Sequence, residues 1–163
     1  MTEQSDQPID QLDAGIIDML HEEPRIGILE LSRRLGVARG TAQSRLNKML
    51  ERGVVVGFGP DIDLAAIGYG VMAFTTIEVV QGRIAEVIDP LQRIPEVLEV
   101  HSIAGQGDLL IRLAARSNED LMDLLERILT IPQVARTSTA IALAGQIPHR
   151  TIPLVRRVAD PRP

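Results

Sequence analysis

The chain has no cysteine and no tryptophan, a single lysine, Lys48, and three aromatic residues, Phe58, Tyr69 and Phe74. Without cysteine there is no disulfide, no thiolate nucleophile and no cysteine metal site. Three aromatics are too few for the base-stacking platforms of RNA-binding sheets. No apolar run approaches the ~20 residues of a membrane span, and Met1 to Gln7 are polar and acidic rather than basic and then apolar. Neither a membrane partner nor a secretion signal is therefore expected, and the compartment reads as cytoplasmic. An enzyme is not expected either. His21, His101 and His149 show no metal-ligand spacing to one another or to carboxylates, and there is no G-x-S-x-G elbow. Gly57-x-Gly59 and Gly105-x-Gly107 fall short of a nucleotide fingerprint and open no helix, so no cofactor is expected.

What is present begins with apolar content. At 163 residues and 45% hydrophobic, the chain allows one or two small domains with a core in each. Three amphipathic segments lie between Asp13 and Gly53. The first starts at Asp13, read as its N-cap, carries Ile9, Leu12, Ile16 and Leu20 at helical spacing, and ends at Pro24. The second, Ile28 to Leu35, stops at Gly36, a residue suited to the left-handed conformation after a helix end. The third begins about three residues later, turns Ala42, Leu46, Met49 and Leu50 inward, and closes at Gly53. Two helices joined by so short a turn cross steeply, which is the arrangement of a helix-turn-helix.

Charge points the same way. From Arg33 to Arg52 there are six cations against one acid, Glu51, a local balance of +5 in a chain of net charge -5. Contact with the phosphates of double-stranded DNA accounts for this economically. On the third helix the positions turned outward are Arg39, Gly40, Gln43, Ser44, Asn47 and Lys48, with Thr41 and Arg45 beside them. Arg, Gln and Asn are the side chains that make bidentate contacts with base edges. The competing reading is a solvated face on a small three-helix module, and an effector-binding or scaffold protein whose helix-turn-helix is degenerate stands as the alternative function. Residues 1–60 are read as the DNA-binding domain, 61–70 as a linker, 71–150 as a second domain and 151–163 as a tail, with Gln146 to Pro163 a tail or packing arm. Val54 to Asp63 reads as a short strand leading into the connector.

From Val71 the pattern alternates between β-rich and amphipathic segments in the order β-α-β-β-α-β: Val71–Val80, Gly82–Ile94, Val97–Ile103, Leu109–Ala115, Asn118–Leu129 and Val134–Leu143. This order is the ferredoxin-like unit, four antiparallel strands with both helices on one side. The fold class is thus α+β, a winged helix-turn-helix three-helix domain followed by a ferredoxin-like domain. Strands such as Val71 to Ile77 are apolar or β-branched almost throughout, so the second sheet face is expected to need a partner, and a homodimer is expected through it. Between strands, Ala104 to Asp108 allows two readings. Gly105 and Gly107 expose backbone N–H groups for a carboxylate with Asp108 receiving an ammonium, or they merely make a β-turn that Asp108 caps.

The chain resembles the Lrp/AsnC (feast/famine) transcription regulators of bacteria and archaea. The resemblance rests on Leu12-Asp13, Glu30-Leu31-Ser32-Arg33-Arg34-Leu35-Gly36, Thr41-Ala42, Arg45-Leu46 and Leu50-Glu51-Arg52-Gly53-Val54-Val55, which fit without a gap and extend over almost the whole chain. Where that family carries a Ser before the recognition helix this chain has Ala38, so the helix start lacks an acceptor worth roughly 1 kcal/mol and a frayed or differently aimed first turn is expected. The resemblance implies sheet-to-sheet dimers that gather into octamers, and a small effector, commonly an amino acid, bound beside the dimer interface at a Gly-x-x-Asp-aromatic-Leu segment. Gly105-Gln106-Gly107-Asp108-Leu109-Leu110 matches it with Leu109 in the aromatic place, and Thr137 and Thr139 match the threonines that line the same pocket. The site so implied is Gly105, Gly107, Asp108, Leu109, Thr137 and Thr139.

Overall fold

A computed structural model of the chain describes residues 9–80 and 82–160 and divides into two compact units. One is built from residues up to Pro60 and from Pro148 onward, the other from Asp61 to Ile147.

The first unit holds α1 (Gln11–Glu22), α2 (Ile28–Arg34), α3 (Arg39–Glu51) and α6 (Ile152–Ala159). Helix α1 starts three residues earlier than its sequence suggests. Asp10, not Asp13, is the N-cap; its Oδ1 accepts from the Asp13 N–H at 2.9 Å while the Asp13 carboxylate accepts from the Asp10 N–H at 3.3 Å. This is a capping box with an aspartate at each end, so the residue that looked like the cap is the third residue of the helix. Helices α2 and α3 end alike. Gly36 and Gly53 take φ of +67° and +69°, and the amides of Val37 and Val54 reach back to the carbonyls of Ser32 and Met49 at 3.0 and 2.9 Å. Both are Schellman closures, which non-glycine residues adopt only with strain. Ile16, Leu31, Ala42 and Met49 are buried at the centre of the unit, with Leu12, Leu20, Leu35, Leu46 and Val55 packed around them. Leu50, read as inward, is 38% exposed. Past α3, the expected short strand does not form among the described residues; Val54 and Val55 both donate to the Met49 carbonyl, so their amides are not free for a ladder. The stretch read as a tail contains α6, which lies on α1 with the Arg156 Nε donating to both Asp18 carboxylate oxygens at 3.1 Å.

The second unit contains β1 (Val71–Val79), α4 (Ile84–Gln92), β2 (Val97–Ser102), β3 (Leu109–Ala115), α5 (Asn118–Leu129) and β4 (Val134–Ala142). The strands form one antiparallel sheet in the order β2-β3-β1-β4, the ferredoxin-like arrangement expected from the pattern. Alternation separates its two faces. Ala73, Ile77 and Val79 of β1 and Leu109, Ile111 and Leu113 of β3 meet Val87 and Leu91 of α4 and Leu121, Leu124 and Ile128 of α5 in the core. The opposite face carries Met72, Phe74 and Leu110 together with Thr76, Glu78 and Arg112, and among the described residues no helix of this unit packs on it. It is therefore more polar than the near-continuous β-branched runs suggest, although Phe74 is 40% exposed there. The β2–β3 turn is stitched to β1. The Asp108 N–H donates to the Ile77 carbonyl at 2.9 Å, and Asp108 Oδ2 accepts from the Val79 N–H at 2.7 Å, beside a register shift between Glu78 and Val79.

Candidate functional site

Two places gather functional chemistry. The first is the outer side of α3. Ala38 offers no side-chain cap, yet its carbonyl accepts from the amides of Thr41 and Ala42 at 3.0 and 3.1 Å, so the first turn is closed rather than frayed. The backbone supplies the regular helical bonds, and the missing hydroxyl removes one acceptor without unwinding the turn. Arg39, Gly40, Thr41, Gln43, Ser44, Asn47 and Lys48 are exposed. Gln43 and Asn47, one turn apart, are joined by a hydrogen bond from Gln43 Nε2 to Asn47 Oδ1 at 2.9 Å, which holds both amide groups in a fixed relation on the surface.

Arg45 is placed differently from its sequence neighbours. Its Nη1 donates to Asp10 Oδ2 at 2.7 Å and lies 3.3 Å from both oxygens of the buried Asp13. The hydrogen bond that Arg45 donates to Asp10, followed by the charge of Asp13, holds the guanidinium in its protonated form. Asp10 in turn is kept below the usual carboxylate range, first by the Asp13 N–H and, less strongly, by Arg45. Arg45 thus fastens α3 to the capping box of α1, a role that neither local charge count nor helical periodicity reveals because its partners lie more than thirty residues away.

The second place is a cavity of about 370 Å³ at the end of the uncovered sheet face, lined by Thr76 and Glu78 of β1, Gln106 of the β2–β3 turn, and Arg136, Thr137 and Ser138 of β4. Register accounts for the grouping, since Thr76 pairs with Ser138 and Glu78 with Arg136. Of the six effector residues taken from the sequence, Thr137 is in this lining. Gly105 and Gly107 shape the turn that presents Gln106, with φ of +128° and +84°. A Cβ on Gly107 would stand 2.3 Å from Thr76 Cγ2, so the turn is pressed directly onto β1. Asp108 spends one carboxylate oxygen on the Val79 amide, and Leu109 is wholly buried in the core. Thr139 pairs with Thr75, their hydroxyls 2.9 Å apart, on the helix side of the sheet. Glu78, Arg136 and Ser138 carry no motif signal and are brought together by strand register, while Gln106 is brought to them by the turn. Among the described residues no cluster of three or more His, Asp or Glu is placed to hold a metal ion.

Comparison with known proteins bears on both places. A family described as Lrp/AsnC ligand binding domain matches residues 72–152, and one described as winged helix-turn-helix DNA-binding matches residues 9–56. An HTH-type transcriptional regulator of Pyrococcus horikoshii is 34% identical over 83% of this chain and 90% of its own length. The HTH-type transcriptional regulator AldR of Mycolicibacterium smegmatis is 33% identical over 82% and 80%. Among solved structures, AsnC of E. coli superposes with a TM-score of 0.84 at 29% identity, covering 90% of this chain and all of that one. A feast or famine regulatory protein of M. tuberculosis complexed with L-methionine gives 0.78 at 30% identity, covering 87% and 97%.

Proposed function

We propose that this chain, which belongs to the Lrp/AsnC family of transcription regulators, reads a DNA operator with the outer side of α3 and changes that binding when an amino acid occupies the cavity beside the β2–β3 turn. The observation that carries the DNA reading is the closed, exposed first half of α3. Arg39, Thr41, Gln43, Ser44, Asn47 and Lys48 stand clear of the hydrophobic core on this helix, and the amides of Gln43 and Asn47, which hydrogen-bond each other in the free protein, are the groups that would exchange that bond for base edges. Arg45 is outside the reading set, because its guanidinium is engaged by Asp10 and Asp13.

The effector reading is supported by the polar cavity and by the L-methionine bound in the M. tuberculosis relative. The uncovered sheet face, with Phe74, Met72 and Leu110 on it, supports a homodimer formed through that face in the cytoplasm. Selection of bound fragments from random duplex DNA, followed by footprinting with and without each common amino acid, tests the whole reading. A dyad-symmetric footprint whose affinity shifts with one amino acid is expected; absence of any enriched sequence sinks it.

A further inference from the structure

Two cross-strand acid–base juxtapositions of the same chemistry lie on the uncovered face, and only one is closed as an ion pair. Arg112 of β3 stands opposite Glu99 of β2, and the pair is closed at 2.8 Å. Arg136 of β4 stands opposite Glu78 of β1, and that pair is open: neither side chain has an ionic or hydrogen-bonding partner among the described residues. Side chains directly opposite on antiparallel strands have Cβ atoms ~4.5–5.5 Å apart, well within reach of each other for Glu and Arg. Here a register shift follows Glu78, and both charged groups line the cavity, together with Gln106, Thr76 and Ser138.

From this juxtaposition we infer that Glu78 and Arg136 form a charge clamp for a zwitterion, Arg136 taking the carboxylate through its planar fork of donors and Glu78 taking the ammonium. The inference rests on the effector reading above and adds which groups recognise the ligand. An acid and a base that line one small cavity without pairing with each other match the two ends of a free α-amino acid. A purely anionic ligand would be repelled by Glu78 and a purely cationic one by Arg136. Guanidinium and carboxylate pair in bidentate geometry, which fixes orientation as well as charge. The hydroxyls of Thr76 and Ser138 and the Gln106 amide then surround the remainder of the molecule. This assignment moves ammonium recognition from Asp108, whose carboxylate holds the end of β1, to Glu78.

Calorimetric titration of the full chain with the common L-amino acids, and then with the carboxamide and the N-acetyl derivative of the tightest binder, tests the clamp. On the wild-type protein the free amino acid should bind more tightly than either derivative by a factor on the order of ten to a hundred, the range of one charge-assisted hydrogen bond. Arg136→Gln should weaken the free amino acid by a similar factor and abolish the preference over the carboxamide. Glu78→Gln should do the same with respect to the N-acetyl form, and Arg136→Lys should recover only part of the loss, because an ammonium restores the charge but not the fork of donors. Both positions are exposed, so circular dichroism of the variants should match wild type. Equal binding of all three ligand forms by wild type, or an amino acid bound undiminished by both Gln variants, overturns the clamp and leaves the effector reading in place. Absence of heat with every amino acid overturns both.

Discussion

Removing Arg45 separates folding from recognition. Its guanidinium joins the exposed Asp10 and the buried Asp13, so Arg45→Ala should lower thermal stability by roughly 1 kcal/mol, a value reduced by solvent screening at the exposed end. Unfolding of the variant followed by circular dichroism checks this, and an unchanged midpoint would return Arg45 to the DNA surface. Asp10 adds a pH signature. Its folded pKa lies below the ordinary carboxylate value, so its contribution is fully present above the unfolded pKa of about 3.9 and is lost as pH falls through the depressed value. The stability gap between wild type and Asp10→Asn should therefore be constant near neutrality and close below about pH 4. Gly107 makes a steric prediction. Gly107→Val must adopt φ of +84° and place Cβ against Thr76, so a loss of at least about 2 kcal/mol is expected, visible as a drop in denaturant midpoint.

The third helix and the β2–β3 turn show how far periodicity and composition reach. Helical spacing was enough to find α1, α2 and α3, and the change of period at Val71 was enough to order all four strands, because their apolar and β-branched runs are separated by amphipathic helices, although only β1 and β3 carry fully buried positions. The ends of elements were less legible. Asp10 and Asp13 are both good caps, and only the reciprocal bond between them decides which one is outside the helix. The cavity was the least legible part. Thr137 could be named from family resemblance, whereas Glu78 and Arg136 are ordinary strand charges until register sets them opposite one another. On α3 the exposed amides should separate readers from anchors. Gln43→Ala or Asn47→Ala should change base preference by about 1–3 kcal/mol per lost bidentate contact, while Lys48→Ala should weaken all sequences alike. Competition binding against single-base operator variants distinguishes the two patterns; equal losses at all three positions would mark them as phosphate contacts only.

For the whole molecule, the charge distribution governs association. A net charge of -5 repels DNA overall, so binding must come from the local concentration of cations around α3 and should be steeply salt dependent. With about 6 to 10 phosphate contacts per dimer, affinity should fall on the order of 10³-fold or more between 50 and 200 mM salt, as filter binding would record. A flat response would remove the phosphate reading. Phe74→Glu on the uncovered face should yield monomers in sedimentation while leaving the core on the other side intact.

The DNA-binding unit is assembled from segments on either side of the ferredoxin-like unit in the chain, with α6 laid on α1 and Arg156 clasping Asp18. During synthesis, then, the ferredoxin-like unit, continuous from Asp61 to Ile147, can close on itself, whereas the helix-turn-helix unit receives α6 only after that whole unit has been made. Until Ile152–Ala159 has been made, α1 lacks the surface it packs against and Asp18 lacks Arg156, so the order of synthesis places the closing contact of the first-made unit last.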